Sequence, residues 1–176
     1  MRIVLASESQ FRRRAMDLLG IPYETRPSRL DEKAIRDDNP AELTRRLAEA
    51  KAHKIAAECP NSVVISGDAV AAKGNRIYEK PRDRKEAAEF LKDFFGSQFQ
   101  FVTSIAVLNT QTGRMLSTVE TSDIFFRARL DREIGQYINK YDVLSYAGAF
   151  ENDAVLLFAD RISGSYTWAQ PCAQAA

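Results

Sequence analysis

From Val63 to Ala72 the chain carries a single charged side chain, Asp68, in the run Ser62-Val63-Val64-Ile65-Ser66-Gly67-Asp68-Ala69-Val70-Ala71-Ala72. The β-branched triplet Val63-Val64-Ile65 predicts a buried strand. An ionised carboxylate in such a strand costs roughly several kcal/mol unless a cation or hydrogen-bond donors compensate it. Asp68 is therefore read as a metal ligand, a general base or a cap at a strand end.

The other elements follow from punctuation. Ile3 to Ala6 reads as a short strand, and Ser7-Glu8-Ser9 offers N-caps for a helix to about Leu19, ended by Gly20 and Pro22. Tyr23 to Asn39 is polar. Asn39-Pro40 opens a second helix, with Leu43, Leu47, Ala50, Lys54 and Ile55 at helical spacing, closing near Cys59-Pro60. Gly74-Asn75 marks a turn before Ile77-Tyr78. Asp83 to Phe95 reads as an amphipathic helix stopped by Gly96. Phe99 to Asn109 and Met115 to Arg127 read as a hairpin around Thr110-Gln111-Thr112-Gly113. Asp131 to Lys140 is another helix, and Ala154 to Phe158 with Arg161-Ile162 reads as the last strand region. Helices and strands mix without strict alternation, so the fold class is α/β, a mixed sheet flanked by helices.

The 176 residues suffice for one compact domain or two small lobes. A formal net charge of +1 gives no global pull toward nucleic acid or membrane. No apolar run approaches the ~20 residues of a membrane span, and the N-terminal stretch is too short for a signal peptide. Cys59 and Cys172 lack metal-ligand spacing, and His53 is the only histidine, so a Cys/His zinc site is not expected. The expected location is the cytoplasm.

Arg12-Arg13-Arg14 falls in the first turns of the first helix, the end that is already partially positive. A strand, a small-residue turn and a helix N-terminus form a recurrent anion site, to which Ser7, Ser9 and the arginines add donors. A solvated charged face is the competing reading. Glu32, Lys51, Lys80 and Trp168 carry little individually.

The order of motifs resembles the Maf family, the septum-formation-like nucleoside triphosphate pyrophosphatases. Leu5-Ala6-Ser7-Glu8-Ser9-Gln10-Phe11-Arg12-Arg13 resembles the family's L-A-S-x-S-P-[R/W]-R-[R/K], with Gln10 in place of Pro. Leu18 to Glu24 resembles its L-G-I-x-F-E region, Leu30-Asp31-Glu32 its D-E pair, and Leu47-Ala48-Glu49-Ala50-Lys51-Ala52 its L-A-x-x-K-A. Ile65-Ser66-Gly67-Asp68-Ala69-Val70 stands at D-T-V or D-Q-V, and Glu79-Lys80-Pro81 at G-K-P. Gly96 with Val102-Thr103-Ser104 and Tyr146 to Phe150 match two further motifs. The resemblance spans roughly residues 3 to 171 and is specific as an ordered set.

The resemblance implies a hydrolase that cleaves a nucleoside triphosphate between its α- and β-phosphates with magnesium or manganese. It implies a fold similar to that of inosine triphosphatase, with two lobes and a central cleft. Asp68 takes the catalytic-base role. Ser7, Ser9, Arg12, Arg13, Lys51 and Lys80 are the phosphate-binding candidates, and Glu32 and Asp68 supply the hard oxygen ligands that magnesium prefers. A buried ion-pair network around Asp68 is the opposing reading. Phe11, Ala69 and Asp153 stand where the family's substrate choice is made. Phe11 and Asp153 lean toward the 7-methyl-GTP branch, since an aromatic face and a carboxylate both favour a cationic ring. Ala69 fits neither that branch nor the dTTP/UTP branch.

The resemblance allows a homodimer and implies neither a nucleic-acid nor a membrane partner. The alternatives are a dTTP/UTP pyrophosphatase and a degenerate nucleotide-binding protein with a regulatory role in cell division. The whole chain, 1–176, reads as a single domain of this kind. Its Gly164 to Pro171 resembles the motif that precedes the family's final amphipathic helix, and that helix is expected to be missing.

Overall fold

A computed structural model describes residues 1–165, without the side chains of residues 152–154. Trp168, Cys172 and most of the Gly164 to Pro171 motif lie outside the described residues. The elements in chain order are β1 (Arg2–Leu5), α1 (Gln10–Leu18), β2 (Glu24–Thr25), α2 (Pro40–Ala56), β3 (Ser62–Lys73), β4 (Arg76–Tyr78), α3 (Arg84–Phe94), β5 (Gln98–Asn109), β6 (Met115–Phe126), α4 (Asp131–Lys140), α5 (Asn152–Phe158) and β7 (Ala159–Ser163). The strands form one mixed seven-stranded sheet in the order β2-β1-β3-β5-β6-β7, with β4 paired to β3. β1 is parallel to β2 and to β3, in the register Arg2↔Ser62 to Leu5↔Ile65. β4 and β7 pair antiparallel with β3 and β6.

The chain divides into two compact units. The first holds Met1–Asp68 and Thr103–Glu120; the second holds Ala69–Val102 and, of the described residues, 121–165.

In the first unit, α2 starts where the sequence places it. The Asn39 side chain accepts hydrogen bonds from the backbone N–H of Ala41 at 2.9 Å and of Glu42 at 3.3 Å, and Pro40 stands at the first helical position. Asn39→Ala removes this cap. We expect a loss of about 1 kcal/mol in a urea unfolding curve.

The buried face of α2 carries Leu43, Thr44, Leu47, Ala48, Lys51, Ala52 and Ile55. It differs from the sequence expectation at the charged positions: Lys51 is buried and Lys54 is exposed. Ala48, Ala52 and Ile55 join Val4, Ala6, Cys59, Val64, Ala106 and Leu108 in one apolar cluster. Two strand hydroxyls pin the helix. Ser66 Oγ donates to the Ala48 carbonyl, and Ser104 Oγ donates to the Thr44 carbonyl, both at 2.6 Å. The polar segment from Tyr23 to Asn39 contains a strand the sequence reading missed, β2. It is only two residues long and exposed, so no alternation marks it.

In the second unit, α3 begins at Asp83, whose carboxylate accepts from the Glu86 N–H at 2.8 Å. Its inner face presents Ala87, Phe90, Leu91 and Phe94. The Phe94 ring lies 4.2 Å from Phe99 and 4.6 Å from Tyr78, centre to centre, within an aromatic core that also includes Phe126 and Phe150. Gly148 has φ +69°, and a Cβ there would stand 2.7 Å from Phe150 Cε1 and 2.9 Å from Ala71 Cβ. Only glycine meets both demands.

The segment Ala154 to Phe158, expected as a strand, is helical. Val155 and Phe158 are buried while Leu156 and Leu157 are exposed, a spacing of three rather than two. The strand begins at Ala159 and contains Arg161-Ile162 as expected.

Candidate functional site

Asp68 and Lys51 face each other because Ser66 and Ala48 already do. Two residues along β3 from Ser66 brings the next side chain to the same face of the sheet, and three residues along α2 from Ala48 brings the next to the same face of the helix. Lys51 Nζ donates to Asp68 Oδ1 at 2.6 Å, and the two side chains are 9% and 10% exposed. Glu32 stands in the short 3₁₀ turn Glu32–Ala34, where the Asp31 carboxylate accepts from the Lys33 N–H at 3.2 Å. Its Oε1 lies 2.9 Å from the same Lys51 Nζ, and its side chain is half exposed. One buried ammonium is thus shared by two carboxylates from different parts of the first unit.

Ser7 follows β1 and is buried. Its hydroxyl accepts from the Ser9 N–H at 3.1 Å and from Arg12 Nη1 at 3.2 Å. Ser9 is the N-cap of α1, yet its side chain makes no capping bond. Arg12 is half-buried, whereas Arg13 and Arg14 are exposed. A Cβ at residue 67 would stand 3.1 Å from Arg12 Nε and 2.7 Å from the Ser104 carbonyl oxygen, so Gly67 is what lets Arg12 lie against β3. The sequence reading quoted Gly67, Ser66 and Ser104 within motifs but gave them no role. The signal was there: small polar residues inside an otherwise apolar strand.

Burial pushes the Asp68 carboxyl above its ordinary pKa. Lys51 and then Arg12 pull it down, and Glu32 adds a smaller upward push. A carboxylate held this way is a better base than an ordinary exposed aspartate, provided it is ionised.

Phe11 is half-buried, with the Arg14 guanidinium 5.6 Å from its ring centre. Lys80, Ala69 and Asp153 belong to the second unit. Lys80 is exposed, between Glu79, whose carbonyl accepts from the Gly148 N–H at 3.1 Å, and the buried Pro81. Ala69 follows Asp68 on β3 and is half-buried. Asp153 lies in α5. His53 is exposed, as expected of a surface helix residue. Among the described residues, no group of three or more His, Cys, Asp or Glu side chains is placed to hold a metal ion. No helix among them is long and apolar enough to cross a membrane.

The fold is shared with the Ham1 protein of Staphylococcus aureus. That structure superposes with a TM-score of 0.50 at 19% identity, covering 72% of each chain. The mixed α/β fold expected from the sequence is therefore the one observed. The sequence profile of the family described as Maf-like protein matches residues 2–168, and the chain belongs to that family.

A 7-methyl-GTP pyrophosphatase of Alcanivorax borkumensis is 33% identical over 87% of this chain and 78% of that protein. One from Chromohalobacter salexigens is 35% identical over 93% and 85%. A nucleoside triphosphate pyrophosphatase of Synechococcus sp. is 35% identical over 92% and 83%.

Proposed function

We propose that the protein is a nucleoside triphosphate pyrophosphatase that releases a nucleoside monophosphate and pyrophosphate. The observation that carries this reading is the buried Asp68–Lys51 pair, with Glu32 on the same ammonium and Arg12 on the Ser7 hydroxyl. It is supported by the activities for which the relatives are named. Hydrolysis of a triphosphate needs charge neutralisation and an oriented water more than covalent chemistry. Asp68 orients a water and takes its proton as the oxygen adds to phosphorus. One P–O bond of the α–β bridge breaks, and its electron pair leaves with the departing phosphate group. Arg12 and Lys51 donate to the phosphate oxygens on which charge grows. Ser9, at the start of α1 with its hydroxyl uncommitted to a cap, adds a donor at a helix N-terminus. Arg13 and Lys80 are solvent-facing, so any charge they lend to a phosphate is screened by water and salt.

Glu32 and Asp68 fit a magnesium or manganese ion only in part. Two carboxylates are as many as magnesium commonly takes from a protein, with phosphate oxygens and water completing its shell. When bound, the ion would polarise the phosphoryl oxygens and neutralise developing charge.

For the base, the reading is a preference for 7-methyl-GTP. Phe11 offers an aromatic face to a cationic ring, and the acidic residue type at position 153 leans the same way in the sequence. The relatives named for that substrate support it. The experiment is pyrophosphate release from a panel of canonical and methylated triphosphates with magnesium or manganese. Turnover of 7-methyl-GTP well above the rest is the expected result, while a pyrimidine preference would place the protein with dTTP and UTP. Absence of release by the folded protein would leave a binding role. In the same panel, Phe11→Ala should raise KM for 7-methyl-GTP by about tenfold, the size of a partly desolvated cation–π contact. An equal rise for every nucleotide would make Phe11 a packing residue.

A further inference from the structure

Lys51 occupies the place between two carboxylates that a divalent cation would take. Its Nζ is 2.6 Å from Asp68 Oδ1 and 2.9 Å from Glu32 Oε1. The lysine is not a surface side chain that swung in. It lies on the buried face of α2, where the hydroxyl bonds from Ser66 and Ser104 to the helix fix its height on the sheet. Arg12 adds a second positive charge that acts on Asp68. Formal charges of Glu32, Asp68, Lys51 and Arg12 therefore cancel.

A hard divalent cation entering this group must displace an ammonium from its two best ligands and meet a guanidinium as well. It would gain little, because magnesium gives up its waters reluctantly and needs further oxygen ligands beyond two carboxylates. A triphosphate alters both terms: it brings oxygens for the ion and an alternative set of acceptors for the ammonium.

We propose that Lys51 is the resident counter-cation of the free protein, so that the divalent ion is taken up together with the triphosphate rather than held beforehand. Arrival of the metal–nucleotide complex transfers Lys51 from the carboxylates to phosphate oxygens and leaves Glu32 and Asp68 to the metal. This deepens the pyrophosphatase reading and rests on it for the nucleotide step. The role of Lys51 toward the bare metal stands apart from it.

The test is binding of manganese(II) followed by electron paramagnetic resonance of the free ion. It uses the wild-type protein, Lys51→Met and Lys51→Arg, each with manganese alone and then with an α,β-methylene nucleoside triphosphate, whose bridge resists cleavage. Wild type and Lys51→Arg should hold manganese weakly when alone, and wild type should hold it well with the analogue. Lys51→Met should bind manganese alone at least about tenfold more tightly, since removal of one nearby positive charge changes an ion's affinity by that order. Equally tight binding of bare manganese by wild type and Lys51→Met would overturn the proposal, and so would loosening in Lys51→Met.

Circular dichroism checks that the methionine variant folds. If it does not, wild type decides, because tight binding of manganese without nucleotide overturns the proposal and binding only with the analogue upholds it. Failure of wild type to release pyrophosphate from any triphosphate would defeat the pyrophosphatase reading, while the nucleotide-free manganese titrations would still read Lys51.

Discussion

Asp68→Asn should lower pyrophosphate release by about a thousandfold or more, the upper range for loss of a positioned general base, with the fold retained. The asparagine keeps the shape of the side chain, and its Oδ1 still accepts from Lys51, which lies 2.6 Å from the aspartate oxygen and also has Glu32 at 2.9 Å. The buried ammonium therefore keeps one full partner and one neutral one, and the melting temperature should shift by only a few degrees. Asp68→Ala would remove the acceptor as well and serves as the destabilised comparison.

The pH profile carries a second readout. Burial raises the pKa of Asp68, so the carboxylate loses its proton at a higher pH than an ordinary aspartate, whose value is about 4. Activity requires the ionised form. It should be full well above the raised value and fall as pH drops through it, placing the acid limb of kcat/KM above the ordinary carboxylate range. In Lys51→Met the carboxylate loses its strongest stabilising charge, and the limb should move further up. An acid limb unmoved by that change, or an Asn variant as fast as wild type, would remove Asp68 as the base.

Much of the scaffold around this carboxylate was legible in the sequence because local rules and tertiary needs agree there. Asn39-Pro40 caps α2 as its residue types dictate, Asp83 caps α3, and Asn109 to Gly113 turns the hairpin between β5 and β6. The buried position of Asp68 followed from the apolar run around it.

Lys51 was harder. As a residue type it belongs on a helix surface, yet it stands four residues from both Leu47 and Ile55, which are buried on the same face. That spacing carried the information, and residue type hid it. The helical state of Ala154 to Phe158 was hidden differently. Val155, Leu156, Leu157 and Phe158 are all apolar, so neither period can be read, and the alternative is decided by which of them the core receives. Gly67 illustrates a third kind of loss. Nothing in a single sequence says that the Arg12 guanidinium will lie where a Cβ on residue 67 would stand.

The arginine run is where the structure separates residues that the sequence could not. Arg12, Arg13 and Arg14 are chemically identical and adjacent, and all lie in the helix end least suited to cations. Only Arg12 is half-buried, with Nη1 on the Ser7 hydroxyl at 3.2 Å and its Nε against Gly67, where its charge acts on Asp68. Arg12→Ala should therefore lower kcat/KM by about a hundred- to a thousandfold for every nucleotide, the loss usual for a donor aimed at developing phosphate charge. Arg13→Ala and Arg14→Ala should each stay within about threefold, as exposed charges screened by water and salt do.

Arg12→Lys should recover little. An ammonium is a point charge and cannot span Ser7 and a phosphate oxygen with a planar pair of donors. The melting temperature of each variant separates loss of the clamp from loss of the fold, because Arg12 is half-buried and Arg14 lies against the Phe11 ring. Equal losses for the three alanine variants, fading together as salt is raised, would mean that the run acts as a diffuse positive field and that the position of Arg12 against β3 has no special part in the reaction.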